Sequence, residues 1–235
     1  MQALSLSWPW LTLAALGAFH GLNPAMGWLF AVALGLQERR WQAVGIALGP
    51  IALGHALAIA LVAIPVGLLG LVIPPRWLLI LGGFVLIGFA VWKIVTRFRH
   101  PRWVGMRVGP RDLMLWSFLM ATAHGSGLML APAVALLTAS TPVAAAGLHA
   151  DHLGHVEHAA GDGLDAALAP AVVGTVLHTG SMLMVMGIIA LIVYRVLGVE
   201  LLRRAWINLD LIWAGALVLA GGAAVGLGVW SPPGL

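Results

Sequence analysis

Apolar residues run along this chain in six long stretches, near 11–36, 42–70, 77–97, 112–138, 168–194 and 205–230. Each approaches or exceeds the roughly 20 residues that a helix needs to cross a hydrocarbon core. The pattern predicts an all-α integral membrane protein of six transmembrane helices, forming one transmembrane domain over 1–235. Charged positions collect in the connections. The exceptions with chemistry are His20, His55, His124 and His178, each near the middle of a different apolar stretch. An ionisable side chain at membrane depth costs at least about 2 to 3 kcal/mol on insertion scales, so each one marks a candidate functional position.

Composition agrees with the pattern. Hydrophobic residues make up 61% of 235 positions and charged residues 9%, against roughly 25% charged in soluble domains. There is no cysteine, which removes disulfides, thiol redox chemistry and thiolate metal sites together. The stretch around Trp8, Pro9 and Trp10 has no basic n-region and no small-residue cleavage site, so a removed signal peptide is not expected.

The net charge of +4 speaks to orientation rather than to a nucleic-acid partner. Arg39 and Arg40 follow the first stretch; Lys93, Arg97, Arg99, Arg102, Arg107 and Arg111 follow the third; Arg195, Arg203 and Arg204 follow the fifth. By the positive-inside rule these connections are cytoplasmic, which puts both termini outside a bacterial-type inner or plasma membrane. Trp8, Trp10, Trp77, Trp103, Trp206 and Trp230 lie near stretch ends, where interfacial aromatics belong.

The six stretches divide into two similar sets of three. Ala18-Phe19-His20-Gly21 is echoed by Thr122-Ala123-His124-Gly125, and Leu53-Gly54-His55-Ala56 by Val176-Leu177-His178-Thr179. An odd number of spans per set turns the second upside down, so repeat one (11–97) and repeat two (112–230) are expected to be inverted. Inverted-repeat transporters place their substrate at the midplane, on interrupted helices. Helix breakers do surround the histidines: Gly21, Asn23 and Pro24 after His20, Gly49 and Pro50 before His55, Gly125, Gly127 and Pro132 after His124, and Gly180 after His178.

Neutral imidazole suits nickel, cobalt, zinc, copper and iron. One histidine from each of four helices is therefore read as a metal shell, with Asn23 and Met26 as further candidate contacts. Met129, Met182, Met184 and Met186 lie near the histidines, and thioethers would favour reduced copper. A second cluster falls in a predicted external loop, 139–167, where His149, His152, His155 and His158 recur every three residues, with Asp151 and Glu157 interleaved. Such tracts bind metal by composition. Asp210 stands near the cytoplasmic start of the last stretch, either as a proton-coupling carboxylate or as a partner of Arg203 or Arg204.

This arrangement resembles the six-helix transporters of the LysE superfamily, and more closely the nickel and cobalt permeases of the NicO and HupE/UreJ types. Gly54-His55-Ala56 and Leu177-His178-Thr179-Gly180-Ser181 resemble the small-His-small pattern of those permeases. They follow their first histidine with an Asp-His pair where this chain has Ala25 and Met26. The resemblance implies secondary transport of a divalent transition metal, with His20, His55, His124 and His178 as metal contacts. An electron carrier of the DsbD or CcdA type has a similar plan but needs the cysteines this chain lacks.

The expectation is thus a transporter rather than an enzyme, with nickel, cobalt, zinc or copper as substrate and no tightly bound cofactor. No Walker motif is present, so protons or membrane potential would drive it. Its expected partners are the metal ion and the lipid bilayer, with an oligomer or an accessory membrane protein open. Two other readings stay open: a b-type haem membrane protein, whose iron paired histidines would hold, and an exporter of an amino acid or small anion.

Overall fold

A computed structural model describes residues 2–96, 109–139, 156–197 and 209–230. It is all helical among these residues: α1 Gln2–Leu22, α2 Trp28–Glu38, α3 Trp41–Leu69, α4 Pro75–Val95, α5 Pro110–His124, α6 Ser126–Ala139, α7 Val156–Ile192 and α8 Leu209–Trp230. Four helices are long and apolar enough to cross a membrane, at Trp41–Leu69, Pro75–Val95, Leu168–Val196 and Leu211–Trp230, and a bent pair, α5 with α6, makes up to five. The protein is therefore a membrane protein.

Two of the six apolar stretches are broken, each at helix breakers that follow a histidine. The stretch 11–36 is two helices, α1 and α2, separated by a short 3-10 turn at Pro24–Met26. Asn23 sets this turn: its backbone N–H donates to the His20 carbonyl (3.1 Å), and its Oδ1 accepts from the Ala25 N–H (2.9 Å). Pro24 has no N–H to continue α1. Gly27 then takes φ 121°, a backbone open to glycine and closed to most side chains. The stretch 112–138 breaks at Gly125, which has φ 70° and turns α6 away from α5 by 67°. A Cβ there would also meet the Phe89 ring at 2.9 Å. In both cases apolar composition runs through the break while backbone chemistry stops the helix.

The predicted loop 139–167 is also shorter than expected, because α7 starts at Val156. Residues 156–167 are too polar to read as a span, yet they are rich in alanine, the best helix former. Helicity and hydropathy part company there. Lys93, counted with the connection, belongs to the last turn of α4 and is buried.

Close backbone contacts at glycine fix how the helices approach. On α1, a Cβ at Gly17 would collide with the His178 carbonyl of α7, and one at Gly21 would lie 2.5 Å from the Met182 carbonyl. Gly17 and Gly21 form a Gly-x-x-x-Gly face, which lets two membrane helices touch backbone to backbone. On α3, Gly54 packs in the same way on the Met114 carbonyl of α5. On α4 and α8 the contact is reciprocal: a Cβ at Gly83 would lie 2.6 Å from the Gly221 carbonyl, and one at Gly221 would lie 2.7 Å from the Gly83 carbonyl.

Two apolar clusters form the interior. One joins Leu13, Ile59, Leu130, Ala171 and Trp213 with their neighbours, and the other joins Met26, Trp28, Ile51, Met182 and Met186 with theirs. His55 lies on α3 one turn from Ile51 and one turn from Ile59, between the two clusters. His178 likewise lies between Ala171 and Met182 on α7.

The glycine contacts predict a graded response. Gly17→Ala and Gly54→Ala should each destabilise the detergent-solubilised protein by about 2 to 3 kcal/mol, because the new methyl meets backbone that cannot rotate away. Gly45→Ala and Gly49→Ala, with nothing within 4 Å of the added carbon, should be neutral or slightly stabilising. Thermal unfolding of the four variants checks this, and equal effects in all four would contradict it.

A candidate metal centre of three histidines

Gly17 and Gly21 bring α1 onto α7, and α3 packs beside them, so that His20, His55 and His178 share one site. All three are fully buried, with side-chain nitrogens within 4.8 Å of one another. Ring centroids are 4.7 Å apart for His20 and His178, 5.4 Å for His20 and His55, and 5.6 Å for His55 and His178. An ion bound by imidazole sits about 2.0 to 2.1 Å from each nitrogen. Nitrogens at most 4.8 Å apart are at most about 2.8 Å from a common centre, so closing on an ion needs inward shifts of under about 1 Å each.

Hydrogen bonds hold two of these rings in place. A carbonyl only accepts, so the bond between His20 Nδ1 and Leu16 O (2.8 Å) assigns the proton to Nδ1. Nε2 of neutral His20 then accepts from the Ser126 hydroxyl at 3.0 Å. His178 Nδ1 donates to the Leu13 carbonyl of α1 at 3.2 Å, and its Nε2 has no hydrogen-bond partner among the described residues. Fixing one ring nitrogen on a carbonyl is how metal-binding histidines commonly hold the other in place.

His55 differs, since neither of its nitrogens has a partner among the described residues. The carbonyl one turn earlier, Ile51 O, accepts the Ser117 hydroxyl at 2.7 Å in addition to its place in the helix ladder. It has no capacity left for Nδ1. A buried unsatisfied polar atom costs roughly 1 to 3 kcal/mol, and each one in a native protein calls for an explanation.

The fourth predicted histidine stands aside. His124 Nδ1 donates to the Met120 carbonyl at 2.7 Å, the same one-turn bond that His20 makes. It is not one of the three histidines whose nitrogens converge. Trp213 of α8 lies edge-on to both His20 and His124, with ring centroids at 4.3 and 5.5 Å, and its indole N–H donates to the His124 carbonyl at 2.6 Å. Phe19 stacks on the Trp213 ring at 5.2 Å.

Asn23 caps the turn after α1, and Met26 packs in the apolar cluster with Met182 and Met186. Met129 belongs to the other cluster, while Met184 is exposed. His149, Asp151, His152 and His155 lie outside the described residues, as do Arg203, Arg204 and Asn208. His158 falls in the first turn of α7 and Asp210 in the first turn of α8. Sequence reasoning missed Ser126 and Trp213. A hydroxyl directly after the Gly125 break was the available signal for Ser126; nothing in the pattern separated Trp213 from the other tryptophans.

Comparison with protein-family models, with curated proteins and with solved structures finds no match of any of the three kinds.

The His20 Nε2 lone pair cannot accept from Ser126 and bind an ion at once. Ser126→Ala should therefore destabilise the protein by about 1 to 2 kcal/mol and raise the affinity of any ion using that nitrogen by roughly 2- to 10-fold. Isothermal titration against the wild type measures the second effect, and weaker binding in Ser126→Ala would contradict the assignment.

Proposed function

We propose that the chain is a secondary transporter that carries a transition-metal ion, from the set nickel, cobalt, zinc and copper, through the site formed by His20, His55 and His178. The observation that carries this reading is the convergence of buried ring nitrogens, those of His55 and His178 Nε2 lacking partners among the described residues, into ion-binding range. An ion would satisfy them together, which no single hydrogen bond does. The apolar clusters on either side would be the two gates, opened in turn.

In this reading α1 and α2 form the first span and α5 and α6 the fourth, giving six spans in two inverted repeats, with both termini outside an inner or plasma membrane. Four features support it. The first helix of each set breaks directly after its histidine, and His20 and His124 make the same one-turn bond. The glycine contacts of α1 on α7 and of α3 on α5 join each set to the other, and Gly83 and Gly221 exchange places at the α4–α8 crossing. Interrupted helices at a midplane site are common in inverted-repeat carriers. His149, Asp151, His152, His155 and His158 would gather ions at the outer face, and His124, beyond Trp213, would be a second station.

The haem reading has less behind it. A macrocycle needs an open slot between two axial histidines, and the His20 ring lies within 4.7 and 5.4 Å of the other two rings.

Reconstituted into vesicles, wild-type protein should take up metal at a rate that His55→Ala together with His178→Ala reduces at least about 100-fold, the scale on which losing metal-site partners acts. Protons compete for the same nitrogens, so uptake should fall as the pH of the loading side falls. Replacing the loop histidines should weaken uptake at low metal and leave it unchanged at saturation. Equal uptake by wild type and the double variant would contradict transport through this site.

A further inference from the structure

The chemistry around the three histidines bears on the charge of the ion, an inference that rests on the metal-transport reading above. The donors are three imidazoles, uncharged in their ligand form, and the Ser126 hydroxyl bonded to His20 is uncharged as well. Among the carboxylates whose side chains the structure describes, Glu38, Asp112 and Asp165 are exposed, and none belongs to this cluster. The positive end of the α6 dipole adds to the deficit of negative charge, because that helix starts at Ser126.

Moving an ion from water into such a low-dielectric site costs free energy in proportion to the square of its charge. A divalent ion costs about four times what a monovalent ion of the same size does. Zinc prefers four ligands, and nickel and cobalt accept more, whereas Cu(I), a closed-shell soft ion, is satisfied by three. The neighbourhood is soft as well. Met26, Met182 and Met186 are each 1% exposed or less and share the apolar cluster that begins one turn past His178. Thioethers favour Cu(I) over divalent ions.

We infer that the three-histidine site takes a singly charged soft cation, Cu(I), and that Met26, Met182 and Met186 form the thioether-lined stretch the ion enters next. Cu(I) held by His20, His55 and His178 leaves the bilayer interior with one positive charge, and the move to the thioethers keeps that charge unchanged. No electron transfer is needed at any step.

The test is anaerobic binding to the full, untagged protein in lipid nanodiscs, carrying His149→Gln, His152→Gln, His155→Gln and His158→Gln so that the loop gives no signal. Cu(I), Zn(II), Ni(II) and Co(II) are each titrated against a chromogenic chelator of known affinity. The expected result is one Cu(I) per chain, bound at least 1,000-fold more tightly than any of the divalent ions, weakened at least 100-fold by His55→Ala and unchanged by Asp210→Asn. A divalent ion bound as tightly as Cu(I), and lost in His55→Ala, overturns the charge inference and leaves metal transport standing. Failure of all four ions to bind overturns both. Loss of Cu(I) in Asp210→Asn overturns the inference by supplying a counter-charge. Replacing the three methionines together by leucine, which keeps apolar volume nearly constant, should leave Cu(I) affinity unchanged and lower Cu(I) flux into vesicles at least 10-fold. Unchanged flux removes the thioether path.

Discussion

Buried imidazole nitrogens with no partner among the described residues, both of those in His55 and Nε2 of His178, are the constraint on which the rest of this structure turns. Apolar packing above and below the histidine layer offers them no partner, and lipid offers none either. Leu16 and Leu13 each give a carbonyl to one ring nitrogen of His20 and His178, which fixes the two rings. At His55 even that anchor is missing, because Ser117 takes the carbonyl. A fold that leaves such groups unpaired in its interior has a reason to gather them around a ligand.

Close helix approach makes the gathering possible. Without side chains at Gly17, Gly21 and Gly54, α1 lies backbone to backbone on α7 and α3 on α5, and His20, His55 and His178 come within ring contact of one another. The two chain breaks serve the same site. Asn23, Pro24 and Gly27 end α1 just past His20, and Gly125 starts α6 with Ser126 hydrogen-bonded to that histidine. Helix ends, tight crossings and histidines therefore form one construction, in which a change at a glycine is felt as a change in nitrogen spacing.

Much of this was legible in the sequence. Mid-stretch placement picked out His20, His55 and His178, since an ionisable group at membrane depth has few other reasons to be there. The apolar stretches at 42–70, 77–97 and 168–194 correspond closely to α3, α4 and the apolar part of α7. Hydropathy runs unbroken through 11–36 and 112–138, and it was the breakers Asn23, Pro24 and Gly125 that marked where these stretches are interrupted. Hydropathy could not show which histidines meet. His124 has the same local pattern as His20, and which of the two joins His55 and His178 is set by helix crossings that the local pattern does not record. Ser126 was legible in principle, as the first residue after a glycine break. The Gly17-x-x-x-Gly21 face was legible as well, although glycine is too common in this chain for the motif to stand out alone.

The most direct test of the central claim, that His20, His55 and His178 bind one ion together, is X-ray absorption of the metal-loaded protein with the loop histidines substituted. The account predicts three imidazole nitrogens around a single ion, falling to two in His178→Ala. A shell with one imidazole or none, or a shell unchanged by that substitution, would contradict it.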